Sequence, residues 1–257
     1  MPNPAVPDRA KGVFETLLVI DGRPLELDAH LARIAASTNE LYGAGVPADA
    51  RELMLERSAS LALGRVRLTL VPLANGELSV DVVTAAVDPE NVFPAWERGI
   101  ELVTFAAGDG VGAHKWADRT ALAELESSVG PGALPLLVDH DGGVLEGSRA
   151  NVFVLDQDAL LTPPADGRIL PGVARACVLA RARALGIETR EEPLTLAQHS
   201  AAGEVFMTGS VRGIEPARSL DGAPLRAPGE VQGALAAQLR RAWLEATPRP
   251  AASRASA

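Results

Sequence analysis

The strongest constraint on how this chain can fold is that its apolar runs come in pairs around tight-turn dipeptides. GVFETLLVI and RPLELD flank Asp21-Gly22, and RVRLTLVPL and ELSVDVVTAAV flank Ala74-Asn75-Gly76. Asp-Gly and Asn-Gly tolerate the positive φ of the turns that match strand twist, so each pair reads as a β-hairpin. Further along, IELVTFA is a strand, and LPLLVD, GVLEGS and NVFVLDQ are strands separated by Gly-rich turns. EVFMTGS and GIEPARSL follow. Strands that pair in hairpins rather than in regular βαβ repeats point to the α+β class.

Helices fill the intervals. Asp28 is placed to cap a helix on which Leu31, Ile34, Ala35, Thr38 and Leu41 share one face. PADARELMLERSASLAL predicts a second helix with Pro47 in its first turn. ADRTALAELESSV, the stretch from Gly172 to Gly186 and residues 228–246 predict three more, with Gly186 as a C-cap. DPENVFPAWERG carries two prolines and no period, which predicts a linker at residues 89–98. It would separate a small N-terminal α+β domain, residues 1–89, from a larger one, residues 90–257. Residues 1–10 and 247–257 are rich in Pro, Ala and Ser without periodicity and are expected to be disordered.

Charge narrows the partners. With 24 Lys+Arg against 33 Asp+Glu the chain carries a formal −9, which argues against nucleic acid and anionic membranes. Aromatics are only 4%, so base-stacking platforms are hard to assemble. Cys177 is the single cysteine and cannot form an internal disulfide. No apolar run approaches the ~20 residues of a membrane helix, and the first ten residues do not read as a signal peptide. The expected location is the cytoplasm.

Most generic signatures are missing. There is no P-loop, no G-x-S-x-G and no H-E-x-x-H, and GDGVGA has Ala113 where a dinucleotide fingerprint needs its third glycine. His30, His114, His140 and His199 are scattered, so no metal site is expected. Taken singly, the remaining polar residues read plainly. Lys115, between a Gly-rich loop and a helix, reads as a surface lysine paired with Asp118 or Asp109. Glu146 reads as a turn carboxylate and Arg33 as a surface arginine on the first helix. The helix opening at LPGVAR and the turn at TGS each offer free backbone N–H groups, Ser210 adding a hydroxyl. Together these are the parts that pyridoxal phosphate needs, an amine for its aldehyde, a carboxylate for its ring nitrogen, and an arginine fork with helix N–H groups for its phosphate, although sequence spacing alone does not assemble that list.

The blocks GVFET, DAHLARI, HKWADR, LEGSRANVF, TPPADGRILPGVAR and EVFMTGSVRGIEP, in that order, resemble the class IV, fold-type IV pyridoxal-phosphate enzymes over about residues 12–222. That group includes branched-chain aminotransferases, D-amino-acid aminotransferases and aminodeoxychorismate lyases. The resemblance implies a two-domain fold of the D-amino-acid aminotransferase type, pyridoxal 5'-phosphate as cofactor and a homodimer. It implies that Lys115 is the Schiff-base lysine and general acid/base, that Glu146 partners the pyridine nitrogen and that Arg33 grips the phosphate. The backbone N–H groups of Val173 and Ala174 and the hydroxyl of Ser210 would complete the phosphate cup. Ala174 stands where the family often has threonine, which removes a side-chain bond and leaves the backbone donor.

The resemblance also orders the reactions. The loop VPLANGE lacks the arginine and histidine with which D-amino-acid aminotransferases hold a carboxylate. Branched-chain enzymes usually carry a small-residue T-A-A turn where this chain reads Ser210-Val211-Arg212-Gly213. H-K-x-x-D-R with S-V-R-G looks most like the aminodeoxychorismate lyases, which make 4-aminobenzoate and pyruvate. Arg212 is then expected on a substrate carboxylate, with an ion pair to Glu215 as the plainer alternative, and Phe14 on the substrate wall. An aminotransferase of branched-chain or D-amino acids is the alternative reaction, and a non-catalytic domain the reading from another class.

Overall fold

A computed structural model describes residues 7–201 and 203–245. Strand β1, Val13–Ile20, is buried along its whole length because both of its faces are covered. Val13, Leu17 and Val19 pack into one core with Ile34 and Met54, while Leu18 and Ile20 pack into another with Phe153, Val178 and Leu239. Alternation along one strand thus ties two cores together. At the turn that follows, Asp21 and Gly22 have φ of 47° and 76°, as the hairpin reading requires.

The return strand is shorter than expected: β2 is only Arg23–Pro24. The chain enters helix α1, Leu27–Tyr42, through Glu26 at a left-handed φ of 52° with no side-chain cap. Asp28 is therefore not the N-cap. It lies in the first turn, where its charge suits the helix dipole, and pairs with Arg51. Helix α2, Ala50–Ser58, also starts later than predicted, with Pro47 outside it, accepting a bond from Ala50 N at 3.1 Å. Strands β3, Leu63–Pro72, and β4, Leu78–Ala86, complete an antiparallel sheet of order β2-β1-β3-β4.

The segment before the second sheet forms two 3-10 turns, Pro89–Asn91 and Trp96–Arg98, and Phe93 packs against Trp243 with ring centres 5.3 Å apart and planes tilted by 59°. Then come β5, Ile100–Ala106; α3, Thr120–Val129; β6, Ala133–Val138; β7, Gly143–Gly147; β8, Asn151–Asp156; and β9, Ala159–Thr162. Helix α4, Val173–Ala184, leads to β10, Glu188–Glu191, and β11, Leu194–Thr195. Helix α5, Leu196–Ala201, precedes β12, Glu204–Gly209, β13, Gly213–Leu220, and β14, Ala223–Pro224, and α6, Glu230–Glu245, ends the described chain.

The second sheet runs β10-β9-β8-β12-β13-β5-β6-β7-β11, with β14 beside β13. Hairpins alone do not build it. β5 pairs β6 in parallel across α3, β9 pairs β10 in parallel across α4, and β13 also runs parallel to β5. Parallel neighbours need such crossovers, so this half is a mixed sheet with two βαβ units, which the hairpin reading did not foresee. The N-terminal expectation also changes: Arg9–Lys11 form a turn capped by Asp8, and Lys11 pairs with Asp118 at 2.9 Å. Residues 1–6 and 247–257 of the disorder expectation lie outside the described residues.

Candidate active site

Lys115 is delivered to the space between the sheets by strand-like pairing of its loop with β1. Phe14 N donates to Lys115 O at 2.9 Å and Ala117 N to Gly12 O at 3.0 Å. Gly12 has φ of 83°, and a Cβ there would lie 2.0 Å from Leu70 O on β3, so only glycine lets the chain entering β1 lie this close to β3. The expected surface pairing does not occur, because Asp118 takes Lys11 instead. Lys115 faces a cavity of about 220 Å³, and burial, reinforced by the Arg33 charge, pulls its amine down to about 8. Its Nζ lies 4.9 Å from the centre of the Phe14 ring.

Glu146, at the end of β7, is buried in the wall of the same cavity. Leu170 N donates to Oε1 and Asn151 Nδ2 to Oε2, both at 3.0 Å. Burial nevertheless pushes the carboxyl up to about 8. A buried carboxylate of this kind wants a cation, and each oxygen retains a lone pair for one.

Arg33, on α1, lines the same cavity and is not a free surface side chain. Nε and Nη2 donate to Glu15 at 2.7 and 2.6 Å, and Nη1 donates to Pro171 O at 3.0 Å. Of its five N–H groups two remain for an anion. His30 lies on the far side of Glu15, its Nδ1 2.7 Å from Oε2, and burial lowers its pKa. Gly172, Val173, Ala174 and Ser210 line the cavity opposite, and α4 opens there with no side-chain cap. A Cβ on Gly172 would come within 2.0 Å of Asn151 Oδ1. Among the described residues Thr208 Oγ1, in the same lining, is buried with no hydrogen-bond partner.

Lys115 also borders a second cavity, of about 490 Å³, with Phe14 and Arg212 in its wall. Arg212 Nη2 donates to Glu215 Oε1 at 2.5 Å and Nη1 to Asn91 Oδ1 at 3.2 Å, so the plainer ion pair does form. The cavity carries six cationic side chains, Lys115 and the arginines at 65, 67, 119, 149 and 212, against Asp88, Glu126 and Glu215. All eight expected site residues thus border one of two cavities that meet at Lys115. The sequence reading gave no role to Glu15, His30, Asn151 or Thr208, although they sit inside the GVFET, DAHLARI, LEGSRANVF and EVFMTGSVRGIEP blocks.

Among the described residues no three His, Cys, Asp or Glu side chains gather as for a metal, and no helix is long and apolar enough to cross a membrane. The amine, the buried acid and the uncapped helix start with its arginine fit pyridoxal phosphate, and the unpartnered Thr208 hydroxyl offers it one more polar group.

The branched-chain-amino-acid aminotransferase of Escherichia coli is 39% identical over 87 residues, 34% of this chain and 28% of that protein. The chain spans well under half the length of the curated relatives it matches, 41% for a branched-chain-amino-acid aminotransferase-like protein of Arabidopsis thaliana. Among solved structures, a hypothetical aminotransferase from Mycobacterium tuberculosis in its PLP-bound form superposes with a TM-score of 0.80 at 25% identity, covering 96% of this chain and 95% of that one. The 4-amino-4-deoxychorismate lyase of Pseudomonas aeruginosa gives 0.75 at 26%, covering 93% and 95%. The model of the amino-transferase class IV family matches residues 12–220, and the chain belongs to that family.

Proposed function

We propose that the chain is a pyridoxal-phosphate lyase that converts 4-amino-4-deoxychorismate to 4-aminobenzoate and pyruvate. The observation that carries this reading is the basic second cavity beside Lys115, in a chain whose formal charge is −9. A substrate with two carboxylates suits such a wall, and a monocarboxylate leaves most of it unanswered. The likeness to the Pseudomonas lyase supports the same reading.

In this reading Arg33, the N–H groups of Val173 and Ala174 and the Ser210 hydroxyl hold the phosphate. Glu146 keeps the ring nitrogen protonated. Bound there, pyridoxal phosphate supplies an electron sink for negative charge at the carbon bearing the substrate amine. Burial draws the Lys115 pKa from 10.5 down to about 8, so it sheds its proton more readily than an exposed lysine and would remove the proton from that carbon once deprotonated. With that proton gone, the ring C–O bond of the enolpyruvyl ether would break, the ring would aromatise, and the departing enolpyruvate would take up a proton to become pyruvate. A homodimer in the cytoplasm belongs to the same proposal and is checked by light scattering and cell fractionation.

The second reading, an aminotransferase of branched-chain or D-amino acids, is favoured by the identity with the Escherichia coli enzyme and uses Lys115 to carry a proton between two carbons. One experiment separates the two. Protein loaded with pyridoxal phosphate is assayed for 4-aminobenzoate from aminodeoxychorismate and, in parallel, for amino transfer from an amino-acid panel to 2-oxo acids. Borohydride followed by mass spectrometry should place the cofactor on Lys115. Amino transfer without 4-aminobenzoate overturns the lyase reading, and no cofactor on Lys115 overturns both.

A further inference from the structure

Arg149 sits in the tight turn between β7 and β8, three residues after Glu146 and two before Asn151. The turn is fixed by Gly147 N bonding Ala150 O at 2.8 Å, Ser148 N bonding Pro135 O at 3.0 Å, and Arg119 Nη2 bonding Ser148 O at 3.1 Å. Among the described residues the Arg149 guanidinium makes no hydrogen bond and no ion pair within 4.0 Å. Arg149 is exposed to solvent, and the protein around it together with the Arg212 and Arg119 charges draws its pKa downward.

The charges around it do not balance. Arg149 and Arg212 border Glu215 in two adjoining cavities, and the Glu215 carboxylate is already engaged by Arg212. Arg119, which bonds the same turn at Ser148 O, is paired with Glu126. Arg67 is held over the Phe14 ring at 4.5 Å and bonds only the Thr16 hydroxyl. Arg65, Arg67 and Arg149 thus have no acidic partner among the described residues, and of these three Arg149, on the Glu146 turn, is the one that also borders the cavity of Lys115 and Glu146, where its planar fork is open to a carboxylate.

We propose that Arg149 is a specificity-determining residue that takes the substrate carboxylate remote from the reacting amine, so that the site selects dicarboxylic over monocarboxylic substrates. This rests on the second cavity being the substrate side of the site, as proposed above, but not on which reaction follows. Arg212, its fork already given in part to Glu215 and Asn91, then backs the wall rather than making the first grip.

The test uses protein loaded with pyridoxal phosphate, as wild type, Arg149→Lys and Arg149→Ala, with two readouts. Calorimetry measures binding of glutarate and of butyrate. Kinetics compare aminodeoxychorismate and L-glutamate with L-leucine and L-alanine. Wild type should bind glutarate more tightly than butyrate, and Arg149→Ala should abolish that preference. Its kcat/KM should fall on the order of 100-fold for dicarboxylic substrates and less than about 3-fold for monocarboxylic ones, with Arg149→Lys between. Unchanged cofactor content and near-UV circular dichroism would show that the fold is retained. Equal losses for both classes, or no glutarate preference in wild type, overturn the proposal. If 4-aminobenzoate never forms but the glutarate preference still depends on Arg149, the lyase reading fails and this one stands. If 4-aminobenzoate forms equally well in Arg149→Ala, the reverse holds.

Discussion

Glu15 grips Arg33 with both carboxylate oxygens, at 2.7 Å to Nε and 2.6 Å to Nη2, while one of those oxygens also meets His30 at 2.7 Å. Burial alone would raise the Glu15 carboxyl, but the bonds to His30 and Arg33 outweigh it and hold it at about 2. The fork is thus aimed before any anion arrives, which reduces the ordering cost of binding one.

Removing that anchor tests its purpose. Glu15→Gln should weaken pyridoxal phosphate binding by roughly 10- to 100-fold, as expected for a lost charge-assisted pair, while turnover at saturating cofactor changes only a few-fold. Because the folded pKa lies below the ordinary 4.5, the stability this carboxylate contributes is present above 4.5 and lost as pH falls toward 2. Acid denaturation should therefore be less steep in the variant. Unchanged cofactor affinity in a titration followed by absorbance would show that Arg33 needs no such anchor.

Glu146 carries the opposite shift. Its folded pKa of about 8 exceeds the ordinary 4.5, so without cofactor its contribution to stability is fully present below 4.5 and fades as pH rises through about 8. Lys115, lowered from 10.5 to about 8, changes stability with the opposite sign, mainly above that pH. Between pH 5 and 8 the cofactor-free wild type should lose thermal stability relative to Glu146→Gln, and cofactor should shrink the difference by supplying a cation. The variant should keep cofactor yet lose turnover by two or more orders of magnitude, since the ring nitrogen loses its counter-charge. Near-normal turnover would mean that another acid serves the ring.

How much of this was legible in the sequence depends on the distance over which each contact is made. The β1 hairpin turn and the second hairpin follow from local rules, and the start of α4 at Gly172 was visible in LPGVAR. The start of α1 was not, because Glu26 enters it left-handed and uncapped where Asp28 looked like the natural cap. Strands β9 and β10 are four residues each, and β10 is largely exposed, so neither has a period to read. At the site, Lys115 alone resembles a surface lysine. Its burial comes from pairing with β1, about a hundred residues away, and only the ordered blocks of the family resemblance pointed to it. Arg149 escaped notice because an unpaired charge is defined by partners that no linear pattern displays.

Gly172 offers a packing test that leaves every charge in place. A methyl there would meet Asn151 Oδ1 at 2.0 Å and Arg175 Cβ at 3.2 Å, and Asn151 is the residue that holds Glu146 and Leu170 O together. Gly172→Ala should cost about 1–3 kcal/mol by overpacking and lower both cofactor affinity and kcat, because either Asn151 or the start of α4 must shift. Gly233→Ala, on α6 with nothing within 4 Å of the new methyl, is the control and should be neutral or stabilising by up to about 1 kcal/mol. Equal behaviour of the two variants in thermal melts and cofactor titration would show that the Gly172 contact is unimportant.

The pair Arg212 and Glu215 separates a structural role from a substrate contact. Glu215 is 3% exposed, so Arg212→Ala leaves a buried carboxylate without its partner and should cost about 1–3 kcal/mol of stability. That loss alone is silent about substrate, since a loosened cavity wall also slows turnover. Arg212→Ala combined with Glu215→Gln removes the orphaned charge and should recover most of the stability. If Arg212 only closes the wall, kcat/KM should recover with it. If Arg212 touches a substrate carboxylate, kcat/KM should stay depressed in the double variant while the melting temperature returns. Since its fork is partly committed to Glu215 and Asn91, we expect the first outcome, with the larger kinetic loss appearing in Arg149→Ala. A double variant that is stable and still impaired as severely as Arg149→Ala would transfer the carboxylate grip to Arg212.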